Sequence, residues 1–164
     1  MKRSVIVLLL GACLFLAAVP TVWAQGGQNR NFTAHLSGGQ EVPSADTNAT
    51  GQAIFKLSKD GTRLDYRVIV ANIENVTMAH IHLAPAGANG PVVVWLYPEG
   101  PPPQRIEGRT QGTLAQGTIT EGDLVGPLAG QRLADLLDEL VAGNAYVNVH
   151  TSQYPAGEIR GQIR

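Results

Sequence analysis

A strict alternation of apolar and polar residues around a tight turn is the feature that most constrains the fold. In residues 52–57, and again in residues 62–70, apolar residues recur at every second position. This period of two predicts two strands that each bury one face. Between them, Lys59-Asp60-Gly61 predicts a tight turn, because Gly61 can adopt a positive φ. We therefore predict an antiparallel hairpin with the apolar residues Phe55, Leu64, Tyr66 and Val68 buried, and with Arg63, Asp65 and Arg67 exposed.

Further strand signals and one helix complete the predicted architecture. The additional strand candidates are residues 31–36, 79–83, 91–97, 112–120, 145–151 and 158–163. A run of Leu133, Leu136, Leu137, Leu140 and Val141 instead recurs at helical spacing, and Gly143 can supply the left-handed residue that ends a helix. We predict one helix at about residues 129–142. Strands separated by turns, with a single helix, predict an antiparallel β-sandwich or Greek-key barrel.

The first 24 residues have the pattern of a cleavable signal peptide. The chain opens with Met1-Lys2-Arg3, continues with an apolar stretch from Val5 to Val19, and reaches the small residue Ala24. A basic start, an apolar run and small or short side chains at −1 and −3 are typical of export signals. We expect cleavage before Gln25, a flexible lead-in at residues 25–30, and one domain at residues 31–164. The expected location is extracytoplasmic: secreted, periplasmic or at the cell surface.

Two alternatives for this segment are less well supported by the residues. A retained membrane anchor is disfavoured, because Gly11 and Pro20 interrupt the run, which is shorter than the ~20 residues that span a bilayer. A lipoprotein would be cut before Cys13, but the apolar residues 14–19 would then begin the mature chain. We therefore expect no membrane span after signal cleavage.

Charge and cysteine content exclude several classes of protein. Removing Lys2 and Arg3 from the 12 basic residues leaves 10 against 13 acidic ones, which is not the balance of a nucleic-acid-binding protein. Cys13 is the sole cysteine and leaves with the signal, so the mature domain has no disulfide, thiolate ligand or cysteine nucleophile. The Gly-x-Ser-x-Gly motif of a serine hydrolase is also absent from the sequence. We predict no catalytic residues from these patterns.

Three histidines are candidates for binding a metal ion. His80 and His82 are two residues apart on a predicted strand, so their side chains project from the same face. His150 has the equivalent position on the polar face of residues 145–151. Three imidazoles with an open fourth position suit zinc or copper. The alternative is that all three are ordinary polar residues on solvated faces.

Two other residues bear on this candidate site. Glu158 begins a predicted strand that folds back on residues 146–151, where its carboxylate could orient His150 through the free ring nitrogen. The alternative for Glu158 is a surface ladder with Arg160, worth well under ~1 kcal/mol. His35 has no local partner and is a weaker candidate.

Several segments together resemble one known family, the CHRD domain. This module is named for the developmental regulator chordin and is common in exported bacterial proteins. The resemblance covers about residues 31–164 and rests on the order and spacing of its motifs. The motifs are Phe32-Thr33-Ala34-His35-Leu36-Ser37-Gly38 running into Glu41-Val42-Pro43, then Ala79-His80-Ile81-His82, Gly90-Pro91-Val92-Val93, Tyr146-Val147-Asn148-Val149-His150-Thr151 and Pro155-Ala156-Gly157-Glu158-Ile159-Arg160-Gly161-Gln162.

The resemblance implies an immunoglobulin-like or superoxide-dismutase-like antiparallel β-sandwich, in agreement with the periodicity. It also places His80, His82 and His150 at the histidine positions of the family. The His-x-His strand is similar to that of copper–zinc superoxide dismutases. Those enzymes use further histidines, an aspartate, a guiding arginine and a disulfide, and this chain has too few histidines for two metal ions.

Three functions follow from these observations, in order of preference. The first is a non-catalytic extracytoplasmic module that binds a protein or surface partner. The second is a copper- or zinc-binding protein that uses His80, His82 and His150, which is compatible with the first. The third is a redox metalloenzyme with a superoxide-dismutase-like sandwich, which fold analogy alone does not establish.

Overall fold

The computed structural model describes residues 31–164. The predicted signal peptide and the lead-in at residues 25–30 lie outside the described residues. The elements in chain order are β1 (Asn31–Ser37), β2 (Thr50–Leu57), β3 (Leu64–Glu74), β4 (Val76–Leu83), β5 (Val92–Tyr97), β6 (Arg109–Ile119), α1 (Leu133–Ala142), β7 (Ala145–Thr151) and β8 (Ile159–Gln162). Within residues 31–164, no helix is long and apolar enough to cross a bilayer.

The predicted hairpin is formed by β2 and β3, which pair antiparallel with Phe55 opposite Tyr66. The alternating pattern assigns the faces correctly: the four residues predicted to be buried lie in the core, and Arg63, Asp65 and Arg67 are exposed. Gly61 has a φ of 74°, as the turn requires. The prediction of this hairpin is therefore confirmed in both its turn and its buried face.

All eight strands belong to one antiparallel sheet with the order β5-β4-β7-β8-β1-β2-β3-β6. The sheet curls so that its two end strands, β5 and β6, approach each other. The Tyr66 hydroxyl on β3 donates a hydrogen bond across this gap to the Leu96 carbonyl oxygen, at 3.0 Å. Gly117 lies opposite Tyr66 on β6, and a Cβ there would be 3.0 Å from the tyrosine ring. The mostly β architecture is therefore a nearly closed barrel, or sandwich, whose interior is the apolar core.

The helix α1 is shorter than predicted at its start. It begins at Leu133 rather than near residue 129, because Gly130 has a φ of 74° and a helix cannot run through that conformation. Asp135 caps the observed N-terminal end of α1 by accepting a hydrogen bond from the Arg132 N–H at 2.9 Å. At the other end Gly143 is left-handed with a φ of 72°, as predicted. The residues that α1 adds to the core are Leu133, Leu136, Leu137 and Leu140, whereas Val141 is exposed.

Candidate metal centre

The pairing of β4 with β7 brings the three candidate histidines onto one face of the sheet. His80 lies opposite Asn148, His82 lies opposite Tyr146, and His150 lies opposite Met78. The residues between them on these strands point to the opposite face, where they are fully buried in the core: Ala79, Ile81, Val147 and Val149. The alternation that buries these aliphatic residues is therefore also what gathers the histidines on the other side.

The three imidazoles converge closely enough to share one ion. One nitrogen atom from each of His80, His82 and His150 lies within 4.8 Å of the other two. The shortest separation is 3.3 Å, between His80 Nδ1 and His150 Nε2. The three residues expose only 3%, 9% and 6% of their surface, respectively. They are not on a solvated face, so the alternative of ordinary surface histidines is wrong.

Backbone carbonyls orient two of these rings. His82 Nδ1 lies 2.9 Å from the Gly90 carbonyl oxygen, and His150 Nδ1 lies 3.0 Å from that of Pro155. A carbonyl oxygen only accepts, so each Nδ1 carries the proton and donates it. The Nε2 atom of each ring therefore carries a lone pair: that of His82 has no partner in the described chain, and that of His150 faces His80 Nδ1 at 3.3 Å. Hydrogen bonding at the second ring nitrogen is the usual arrangement for histidines that bind metal ions.

Two buried nitrogens in this cluster have no hydrogen-bond partner in the described chain, namely His80 Nε2 and His82 Nε2. Burial of a polar atom without a partner costs about 1–3 kcal/mol. Such atoms are rare in folded proteins and commonly indicate a bound ion or water, or a catalytic role. The donor set, three imidazole nitrogens without a thiolate, suits zinc or copper.

Burial keeps the three rings neutral. The pKa of His80 is lowered to about 3, first by burial and then by repulsion from His150 and His82. Burial lowers the pKa of His150 to about 4 against the opposing effect of its bond to Pro155, and it lowers the pKa of His82 as well. Neutral imidazole binds metal ions, whereas imidazolium does not. All three rings are therefore ready to bind at neutral pH.

Aromatic and cationic side chains pack around the histidines. The Trp95 ring contacts His80 edge-on, with ring centroids 4.2 Å apart. Tyr146 stacks on His82 with centroids 4.9 Å apart and an angle of 10° between the ring planes. The Arg160 guanidinium in turn lies 3.4 Å from the centroid of Tyr146. These contacts limit the rotation of His80 and His82, and the sequence analysis did not predict them.

Loops cover this face of the sheet. Arg160, which is 2% exposed, donates to Asn89 Oδ1 at 3.0 Å and to the Ala88 carbonyl oxygen. Asn89 in turn donates to the Val42 carbonyl oxygen at 2.8 Å. Arg160 and Asn89 therefore fasten the loop after β4 to the loop after β1. The histidine face is buried because of these loops, not because another sheet covers it.

The buried residue Glu41 belongs to the loops that cover the histidine face. Glu41 accepts a hydrogen bond from Asn148 Nδ2 at 2.7 Å. Burial raises its pKa to about 7, and the charge of Arg160 opposes that shift. Glu41 is thus held by Asn148, two residues from His150 on β7. It is outside the cluster of three ligand nitrogens.

Glu158 does not orient His150 in the way the sequence analysis suggested. Its two carboxylate oxygens accept hydrogen bonds from Thr47 and Thr151, both at 2.7 Å, while His150 Nδ1 bonds to Pro155 instead. β8 begins at Ile159, so Glu158 belongs to the preceding loop rather than to a strand facing His150. The surface ladder with Arg160 is also wrong, because both residues are buried. His35 lies on β1, is exposed, and is not part of the histidine cluster.

Comparison with known proteins gives one match. The model of the family described as the CHRD domain matches residues 32–163, nearly the whole described chain. No curated protein matches the chain, and no solved structure does so.

Proposed function

Because the chain belongs to the CHRD domain family, we propose that it is an exported, non-catalytic binding module that holds one copper or zinc ion. The ligands are His80, His82 and His150. The observation that carries this proposal is the convergence of three buried imidazoles within 4.8 Å, two of them with an unpartnered Nε2. A bound ion accounts for that convergence, because each ring would give it one nitrogen and the buried Nε2 of His82 would gain a partner in place of water.

The surroundings of the histidines support a stabilising role for the ion. His82 is tied to the loop after β4 through Gly90, and His150 to the loop before β8 through Pro155. An ion that joins the two rings would therefore also join two loops of the cover. In an exported domain whose sole cysteine lies in the predicted signal, such a link takes the place that disulfides have in many secreted proteins.

Export is supported by the sequence of the first 24 residues. Lys2 and Arg3 precede an apolar run, and Ala24 provides a small residue at the expected cleavage point. The interaction partner of an exported module would be an extracytoplasmic protein or a cell surface.

One observation favours a metalloenzyme, which would need copper rather than zinc for redox chemistry, because zinc has a single stable oxidation state. Three protein ligands leave a fourth coordination position, as in catalytic zinc sites and unlike closed structural ones. The burial of the three histidines argues for the module, since a substrate would have to displace the covering loops. Turnover of superoxide by the copper-loaded protein would favour the enzyme.

Metal analysis of protein purified without a histidine tag tests the proposal. We expect about one copper or zinc ion per chain, and calorimetric titration of the stripped protein should give the same stoichiometry. The His80→Ala/His82→Ala double variant should lose binding while keeping its circular dichroism spectrum. His35→Ala is the matched control, because His35 is exposed and outside the cluster, and it should bind as the wild type does. Equal titration of the double variant and the wild type would refute the site.

A further inference from the structure

The gap between β5 and β6 is the one place where the barrel is not closed by a strand ladder within residues 31–164. Two hydrogen bonds from other elements reach β5 there: Tyr66 donates to the Leu96 carbonyl oxygen, and the Val125 N–H donates to the Val93 carbonyl oxygen at 2.9 Å. We call this gap the β5–β6 seam. It lies between the two end strands of the sheet, so the outer edge of β6 borders it.

Two adjoining cavities follow the seam. One has a volume of about 770 Å³ and is bordered by the end of β5, the proline-rich loop that follows it, and residues 113–116 of β6. The other, of about 410 Å³, is bordered by β5, residues 117–119 of β6, and the turn at residues 122–125. Tyr66, Glu99, Gly100 and Pro101 line both cavities, so together they form one groove.

The charge of this groove has a single sign. Glu99 and Asp123 are the only ionisable carboxylates among its lining residues, and no Lys, Arg or His lines it. Glu99 is exposed and forms no salt bridge in the described part of the chain. Three aromatic residues, Tyr66, Trp95 and Tyr97, are among those that line the same groove. Carboxylates beside aromatic faces recognise ammonium and guanidinium groups.

The edge of β6 lacks the charged and proline side chains that usually protect a strand edge against pairing, although a β-bulge interrupts its ladder with β3 between residues 113 and 115. Natural edge strands carry Lys, Pro or other charged side chains that prevent another strand from adding to them. β6 has eleven residues, and residues 110–119 include no charged residue and no proline. Most of its side chains are exposed. An edge of this kind is a template for the addition of an extended peptide.

We propose that the β5–β6 seam binds an extended segment of a partner protein, which pairs with the edge of β6 and places a Lys or Arg side chain against Glu99. The strand edge supplies hydrogen bonds that are independent of the bound sequence. The acidic groove selects a basic side chain in the segment. This inference rests on the proposed binding module and gives it a partner chemistry, and it uses none of the three histidines.

Selection of peptides from a phage-displayed library of random twelve-residue sequences, with the purified protein as bait, tests the inference. We expect enriched peptides with Lys or Arg alternating with β-branched residues. A synthetic copy of one enriched peptide should bind at least tenfold more weakly to Glu99→Arg than to the wild type. Asp138→Arg is the control, since it makes the same charge change on the exposed surface of α1, and it should bind the peptide as the wild type does.

One further measurement separates this mode of binding from general charge attraction, and a second separates it from metal binding. Amide hydrogen exchange in residues 110–119 should slow when the synthetic peptide is bound, because the edge of β6 becomes hydrogen-bonded. The His82→Ala/His150→Ala variant, which keeps the contact between His80 and Trp95, should bind the peptide normally, so loss of metal binding would leave this result unchanged. No enrichment of basic peptides, equal binding by Glu99→Arg, or unchanged exchange in β6 would each overturn the inference.

Discussion

His80 Nδ1 and His150 Nε2 lie 3.3 Å apart, although seventy positions separate the two residues in the chain. Two nitrogens that each bind one tetrahedral ion at about 2.0–2.1 Å are separated by roughly 3.3 Å. The antiparallel ladder between β4 and β7 produces this closeness, and the surrounding loops keep water away from it. This separation fits two ligands of one ion, and it also fits the hydrogen bond that joins the two rings in the described chain.

The first prediction concerns the pH dependence of metal affinity. An exposed histidine with a pKa near 6.5 is neutral in about one molecule in eleven at pH 5.5, so three of them would lose roughly 1000-fold in affinity. Here burial lowers the pKa of His80 to about 3 and that of His150 to about 4, so both stay neutral at pH 5.5. We expect zinc affinity, measured by competition with a chelator, to fall less than about tenfold between pH 7.5 and 5.5. A loss close to a thousandfold would show that the rings titrate as exposed groups.

The second prediction uses Trp95 as a reporter of the bound ion. Trp23 and Trp95 are the two tryptophans of the chain, so a chain lacking residues 1–24 emits from Trp95 alone. The Trp95 and His80 rings are 4.2 Å apart between centroids. We expect Cu²⁺ to quench this emission with an endpoint near one equivalent, whereas the closed-shell ion Zn²⁺ should leave most of it. Binding of one copper ion without quenching would place the ion away from His80.

The third prediction concerns the core of the hairpin. Phe55 has no exposed surface and lies opposite Tyr66 on the neighbouring strand. Phe55→Ala should lower the free energy of unfolding by about 3–5 kcal/mol, as measured by urea denaturation. Ile54→Ala is the matched control on the other face, where Ile54 is 39% exposed, and should cost well under about 1 kcal/mol. Similar losses for the two variants would mean that the faces are assigned wrongly.

The fourth prediction concerns processing of the N-terminus. The intact mass of the protein recovered from outside the cytoplasm should correspond to a chain that begins at Gln25. Ala24→Lys should block cleavage, because signal peptidase requires a small side chain at that position. A mature chain that retains Met1, or one that begins at a lipidated Cys13, would contradict the predicted signal.

Local periodicity predicted most of the fold, and it predicted which residues lie on the histidine face. The bounds of β7 agree with the predicted 145–151, because alternation is a property of neighbouring residues. The burial of that face was not predictable in this way. Its cover depends on contacts between distant segments, such as the hydrogen bond from Asn89 to Val42 across 47 positions. A polar face under loops has the same local pattern as a polar face in water.

The errors at Glu158 and at the start of α1 have the same origin. Both positions lie at a boundary between a regular element and a loop, where a single residue decides which way the chain turns. Gly130, with its positive φ, delays the helix, and the loop before β8 turns Glu158 towards Thr47. Trp95 was predicted to lie on a strand, but its contact with His80 depends on the register between β4 and β5. That register depends on how two strands pair, so the alternation of residues within one strand does not predict it.

The position of β8 in the sheet has a consequence for the timing of folding. β8 is the last of these eight strands along the chain, yet in the strand order it lies between the block β5-β4-β7 and the block β1-β2-β3-β6. The two blocks therefore cannot join into one sheet until Ile159–Gln162 is available to pair with both of them. His80, His82 and His150 all belong to the first block, so an ion could meet its ligands before the barrel closes.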